Sequence, residues 1–133
     1  MVVKSFTIEL NSQKRFQIID ITPHLFDFLQ KSRIKEGQLL VFSKHTTLAI
    51  VINENESNLL EDLENFLEKI LPFSNSYFHP QNAASHLRQF LLGTSKTIPI
   101  EKSQLILGAW QRVFAIELDG PRKREILLQF IGN

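Results

Sequence analysis

The feature that most constrains the fold is a pair of apolar runs separated by a short polar break. Residues 39–42 (LLVF) and 48–52 (LAIVI) flank the polar stretch 43–47 (SKHTT). Neither run has a polar face, so both read as central strands of a sheet. Upstream, residues 2–10 and 14–21 alternate in the strand manner, and Asn11, Ser12 and Gln13 between them predict a hairpin turn. Thr22 and Pro23 predict a helix start, with Thr22 as cap and Pro23 at the first helical position. Leu25, Phe26, Phe28 and Leu29 give that helix an apolar face, and Glu36-Gly37 is expected to end it. Residues 56–71 carry Leu59, Leu60, Leu63, Phe66, Leu67 and Ile70 at helical spacing, and Pro72 stops the pattern. Residues 73–81 read as irregular, and Asn82 as the cap of a helix over 83–92 closed by Gly93. Four further strands are expected over 97–100, 105–107, 110–118 and 125–131. The order β-β-α-β-β-α-α-β-β-β-β implies an α+β fold. Its core is a largely antiparallel or mixed β-sheet with two to three helices packed on it. No dinucleotide-binding or Walker A glycine motif is present.

Composition narrows the function classes. A chain of 133 residues fits one domain, 1–133, and can bury a core without staples. The eleven Phe predict a Phe-rich core. Fifteen Lys and Arg against fourteen Asp and Glu leave a net charge of +1, and the basic cluster is small: Arg122, Lys123 and Arg124, with Arg112 nearby. A nucleic-acid partner is therefore not expected. With no Cys, disulfides and thiolate chemistry are excluded. The first ten residues form no apolar leader and no apolar run reaches membrane length, so a soluble, cytoplasmic protein without a membrane partner is expected.

Three clusters could carry chemistry. His45 lies in Lys44-His45-Thr46-Thr47, the polar break between the two apolar runs. His79 lies in the irregular segment, and His86 one helical turn after Asn82, so that the Asn82 and His86 side chains share a face. Three imidazoles can hold zinc with one position open. Their spacing matches no fixed zinc motif, however, and His86 beside Leu87 and Phe90 also reads as a core histidine. Asn53 and Glu54 end the second apolar run. Glu54 could be a general base or ligand, while acidic residues and Asn here equally mark a helix start. The third cluster is Trp110-Gln111 and then Glu117 to Arg122, within which Asp119, Gly120 and Pro121 are turn chemistry expected to join two strands. Trp110 and Gln111 could stack on and hydrogen-bond a planar ring, and Arg122 could grip a phosphate. Alternatively, Trp110 is packing and Arg122 the ion-pair partner of Glu117.

Taken in order, the stretches Lys44-His45-Thr46-Thr47, Ile52-Asn53-Glu54-Asn55, Tyr77-Phe78-His79, Asn82-Ala83-Ala84-Ser85-His86-Leu87, Leu92-Gly93-Thr94-Ser95, Leu107-Gly108-Ala109-Trp110-Gln111 and Glu117-Leu118-Asp119-Gly120-Pro121-Arg122 resemble the YjbQ-like family from about residue 6 onward. That family is often described as a secondary thiamine-phosphate synthase enzyme. The resemblance implies a compact α+β fold, a homotrimer and a small phosphorylated ligand. It also implies a three-histidine site of His45, His79 and His86, as metal ligands or, for His45 and His86, as catalytic groups. Glu54 and Arg122 join the catalytic set. Lys44, Thr46, Thr47, Asn53, Asn82, Trp110, Gln111 and Glu117 form the surrounding binding set. Two function classes follow. One is a thiamine-phosphate synthase-like transferase using Mg²⁺, with Lys44, Arg122 and Arg124 clamping the leaving diphosphate. The other is a zinc-like hydrolase or a small-anion or metal-binding protein, since three imidazoles suit zinc better than magnesium. Two departures from the family pattern stand out: Ala109 precedes Trp110, and only Pro80 and Gln81 separate His79 from Asn82, where the family has a longer loop with an acidic residue.

Overall fold

A computed structural model describes residues 1–133. The chain runs β1 (Val2–Asn11), β2 (Gln17–Asp20), α1 (Thr22–Ser32), β3 (Gly37–Ser43), β4 (Leu48–Glu54), α2 (Ser57–Ile70), α3 (Ala83–Leu92), β5 (Ser95–Glu101), β6 (Gln104–Leu105), β7 (Gln111–Glu117) and β8 (Lys123–Gly132). The element order is the one the sequence predicts. The fold is α+β, and every strand pair is antiparallel. The strands form a five-stranded sheet, β1-β8-β3-β5-β6, and a three-stranded sheet, β2-β7-β4.

The main core lies between the two sheets. Ile8, Leu39, Val41, Ile126, Leu128 and Phe130 of the larger sheet meet Leu48, Ile50, Val113 and Ala115 of the smaller, and Leu25, Phe28 and Leu29 of α1 join them. The back of the smaller sheet is covered too. Ala49, Phe114 and Ile116 pack against Leu60 and Leu63 of α2 and Leu92 of α3. A strand covered on both faces needs apolar residues at every position, which accounts for the LAIVI run of β4. No helix is long and apolar enough to cross a membrane.

Several local expectations fail for identifiable reasons. β1 and β2 do not form a hairpin: β1 pairs with β8 and β2 with β7, so Ser12 to Phe16 carry the chain from one sheet to the other. β3 and β4 likewise fall in different sheets, and β4 pairs with β7 alone. Thr22 does not cap α1. Its backbone N–H bonds the Asp20 carboxylate at 2.9 Å, while its hydroxyl accepts from Val113 N–H at 2.8 Å. α1 ends at Ser32, where Arg33 turns left-handed at φ 53. Glu56 caps α2, its carboxylate accepting from Asn58 and Leu59 N–H, so part of the acidic cluster does serve a helix start. Nor is the core Phe-rich: Phe28, Phe114 and Phe130 are buried, while Phe6, Phe26, Phe66, Phe78 and Phe90 are exposed.

Candidate functional site

The β7–β8 turn, the 43–47 loop and the start of α3 meet at one end of the smaller sheet. Their shared anchor is a buried ion pair. Glu117 at the end of β7 is fully buried and Arg124 on β8 almost so. Arg124 Nε donates to Glu117 Oε1 at 2.8 Å, and its Nη2 donates to Glu117 Oε2, to Thr47 Oγ1 and to Thr47 O. Ser12 Oγ donates to Glu117 Oε1 at 2.6 Å, and Asp119 N–H donates to Oε2 at 3.1 Å. Burial alone pushes the Glu117 carboxyl up. The bonds from Arg124, Ser12 and Asp119 together outweigh it and hold the carboxyl below its ordinary value of 4.5. Gly120 lets the turn close here, because a Cβ at that position would lie 2.3 Å from Lys14 O.

On this base stands a polar chain. Arg122 Nε donates to Asp119 O at 2.8 Å and its Nη2 to Asp119 Oδ2 at 3.1 Å. Asn82 Nδ2 donates to the same Asp119 Oδ2 at 2.9 Å, and Asn82 Oδ1 lies 3.1 Å from His79 Nε2. Since a carboxylate oxygen takes only donors, the Asn82 amide must point its NH₂ at Asp119 and its oxygen at His79. His79 then donates from Nε2 and keeps a lone pair on Nδ1. The His86 ring stands edge-on to His79 with centroids 4.9 Å apart. The Asn82 side chain makes no cap bond to α3, because its amide is spent on this chain. Asn82, Ser85 and Gln89, on one face of α3, bond Asp119, Leu118 O and His45 O respectively, which fixes the helix to both loops.

His45 is held differently. Its Nε2 accepts from Glu125 N–H at 2.9 Å, so the ring proton sits on Nδ1. Burial and the neighbouring Arg124 charge lower its pKa from 6.5, against smaller opposing pulls from Glu117 and Glu125. Its Nε2 lone pair is spent on the main chain and its Nδ1 carries the proton. His45 therefore offers a metal no free lone pair, and no three His, Cys, Asp or Glu side chains converge on a common point. The three-histidine metal centre expected of His45, His79 and His86 is not assembled within one chain; the structure brings together His79 and His86 only.

Other expected site residues separate in the same way. Glu117 and Thr47 are buried in the ion-pair network. Glu117 pairs with Arg124 rather than Arg122. Thr46 is exposed, and Lys44 pairs loosely with Glu125 at 3.7 Å. Asn53, Glu54, Trp110 and Gln111 stand at the far end of the β4–β7 pair. There Glu54 is opposite Gln111, while Leu48 is opposite Glu117 at the near end. Six strand steps make that separation about 20 Å. Trp110 is 75% exposed, so it is not core. Two residues that matter were not in the expected set. Asp119 was read only as turn chemistry, and Arg124 only as a supply of charge. Continuing the inward alternation of Phe130, Leu128 and Ile126 back by two places puts Arg124 on the buried row.

Relatives match this chain along almost its whole length. The family model for UPF0047 protein YjbQ-like matches residues 6–133. The chain belongs to the YjbQ-like family. A UPF0047 protein of Methanothermobacter thermautotrophicus is 46% identical, over 100% of this chain and 95% of the relative. YugU of Bacillus subtilis is 33% identical, over 95% of this chain and 98% of its own. A YbjQ-like protein of unknown function from Sulfolobus solfataricus superposes with a TM-score of 0.96 at 35% identity, covering 99% of each chain. A YjbQ/UPF0047 protein of Clostridium acetobutylicum gives 0.91 at 34% identity, over 95% of this chain and 99% of that one. The antiparallel sheets and three helices of this YjbQ-like chain are thus the fold of its solved relatives.

Proposed function

We propose that this YjbQ-like protein is an enzyme acting on a small phosphorylated molecule, with His79 and His86 as its acid–base pair and Arg122 as its anion grip. One observation carries the reading: the Asp119–Asn82–His79 chain fixes which imidazole nitrogen of His79 is free. An oriented base with a defined tautomer is what proton transfer needs, and packing does not require it. Arg122 is half exposed and leaves one edge of its guanidinium unbonded beside this pair. His45 adds a fixed Nδ1–H donor on a neighbouring loop. A phosphate monoester suits this set.

Thiamine-phosphate synthesis, the reaction in the family's usual description, asks for more. It needs a clamp for a leaving diphosphate. Of the three cations expected to form one, Arg124 is consumed by Glu117 and Lys44 leans on Glu125. The reading therefore favours a single phosphate group over a diphosphate. A zinc or magnesium ion at this place would find two imidazoles, and no step here is assigned to it. Self-association as a homotrimer in the cytoplasm belongs to the same proposal.

The test is a ¹³C–¹H NMR titration of the histidine rings with inorganic phosphate and with phenyl phosphate. His79 and His86 signals are expected to move, and Arg122→Ala to weaken the response about tenfold or more. Any turnover found in a panel of phosphate esters should fall by about 10² in His79→Ala. Silence of both imidazoles at millimolar phosphate ends the reading. With both thiamine precursors and Mg²⁺, turnover above a His86→Ala control would restore the synthase reaction in its place.

A further inference from the structure

We infer that the chain carries a second binding site, separate from the histidine cleft, for a small apolar ring bearing one anionic group. It lies where the end of α1 meets the β5–β6 turn, and it stands apart from the proposed function.

A cavity of 680 Å³ opens there. Its floor is Leu29, Ile34 and Leu105, all buried in the main core, and half-exposed Phe26 is one wall. The exposed side chains of Arg33, Lys35 and Ser103 form the rim. No carboxylate lines the cavity. Arg33 and Lys35 are in no ion pair, and neither is Lys102 beside Ser103. A concave site of this size with an apolar floor and a few polar groups at its edge is the common form of a small-molecule site. The floor and Phe26 suit a ring, and the cations suit a carboxylate or phosphate. Lys35 precedes β3 at its Gly37 end and His45 follows its Ser43 end, so the strand puts about 20 Å between this cavity and His45.

The backbone shows that these polar side chains stand where the chain would more easily place others. Four non-glycine residues have left-handed backbone, and three of them gather here: Arg33, Lys102 and Ser103, at φ 53, 50 and 63. Arg33 ends α1 in the conformation where helices most often place Gly. Lys102 and Ser103 make the two-residue turn between the paired Glu101 and Gln104, and a turn with two positive φ values favours Asn-Gly. A Cβ is strained at such positions, and strain of this kind clusters at ligand sites. Packing does not ask for these side chains, because all three residues are exposed. The turn is also fixed against the end of α1. Ser103 N–H donates to Lys35 O at 3.0 Å, and Lys102 N–H to Glu36 Oε1 at 3.1 Å. The cavity is therefore preformed.

The probe is 2-naphthoate, with 2-naphthylmethanol as its neutral counterpart, read by amide shifts of ¹⁵N-labelled protein. Naphthoate is expected to bind at about 1 mM or tighter and to move the Phe26, Ser103 and Leu105 amides. It should exceed the alcohol about tenfold. 1-Naphthyl phosphate, titrated beside it, decides between carboxylate and phosphate as the anionic group. Arg33→Gly and the Lys102→Asn/Ser103→Gly double variant separate a binding role from a structural one. Each relieves the backbone, so each should unfold about 3 °C higher, while naphthoate binding weakens about tenfold. Naphthoate that binds these variants as it binds the unaltered chain overturns the site. So do equal binding of acid and alcohol, and shifts confined to Phe78 and Phe90. Loss of stability in both variants overturns it as well, because the side chains would then be serving the fold.

Discussion

The Glu117 carboxylate accepts from Ser12, from Asp119 N–H and from two nitrogens of Arg124, and none of it reaches solvent. Glu117→Gln keeps the shape but strands the Arg124 charge. Breaking a buried pair this way costs about 3–5 kcal/mol, measurable by urea unfolding at pH 7. The pH dependence has a definite sign. The folded carboxyl titrates below its ordinary 4.5, so its stabilisation is full above that value and is lost as pH falls through the lower, folded value. The penalty of Glu117→Gln should accordingly shrink on acidification below pH 4.5; an equal penalty at both pH values contradicts the assignment. His45 follows the same logic near neutrality. Its folded pKa lies below 6.5, so stability should decline as pH drops under 6.5, and its NMR titration midpoint should fall below that value. The sequence makes His79, His86 and Arg122 visible as polar residues in irregular or helical settings. The alternation of β8 carries the inward row back to Arg124, but the sequence does not reveal where that row ends, and Arg122, two residues earlier and outside the strand, turns out. That choice belongs to the β8 register, which depends on β1 and β3 from distant parts of the chain.

Elements rather than residues decide how the histidine pair is presented. α3 carries His86 and is held to α2 by Arg88, whose side chain is 1% exposed. Arg88 Nε donates to Leu71 O and its Nη2 to Glu68, and the guanidinium lies 3.9 Å from the Phe73 ring centroid. Of α2 itself only Leu67 is fully buried, with Leu60 and Leu63 packed part-buried on the smaller sheet, and this clamp adds to the helix's attachment. Arg88→Ala should cost about 2–4 kcal/mol through lost charged hydrogen bonds and stem packing. Amides of α2 should then exchange faster than those of β8; uniform acceleration throughout the chain would instead mean global destabilisation. Helix positions were legible because apolar spacing and Gly93 or Pro72 stops are local signals. Strand partners were not. Asn11, Ser12 and Gln13 look like any hairpin turn, yet β1 and β2 diverge because each finds its longer-range partner, β8 and β7, across more than 90 residues.

At the scale of the whole molecule, the eleven Phe of the sequence divide unevenly, three in the core and five among the most exposed apolar side chains. A core between sheets contributed by Ile, Leu and Val leaves these rings without an internal role. Composition could show the surplus but not its location, which depends on which helix faces the sheets leave uncovered. The single Trp, Trp110, reports on that surplus directly, since it is exposed in the isolated chain and the sequence holds no second indole to mask it. Dilution should shift its emission to the red as copies separate and the ring enters water. Emission that is red at every concentration would mean that the indole stays in water, and the aromatic surplus would then belong to a ligand rather than to a second copy.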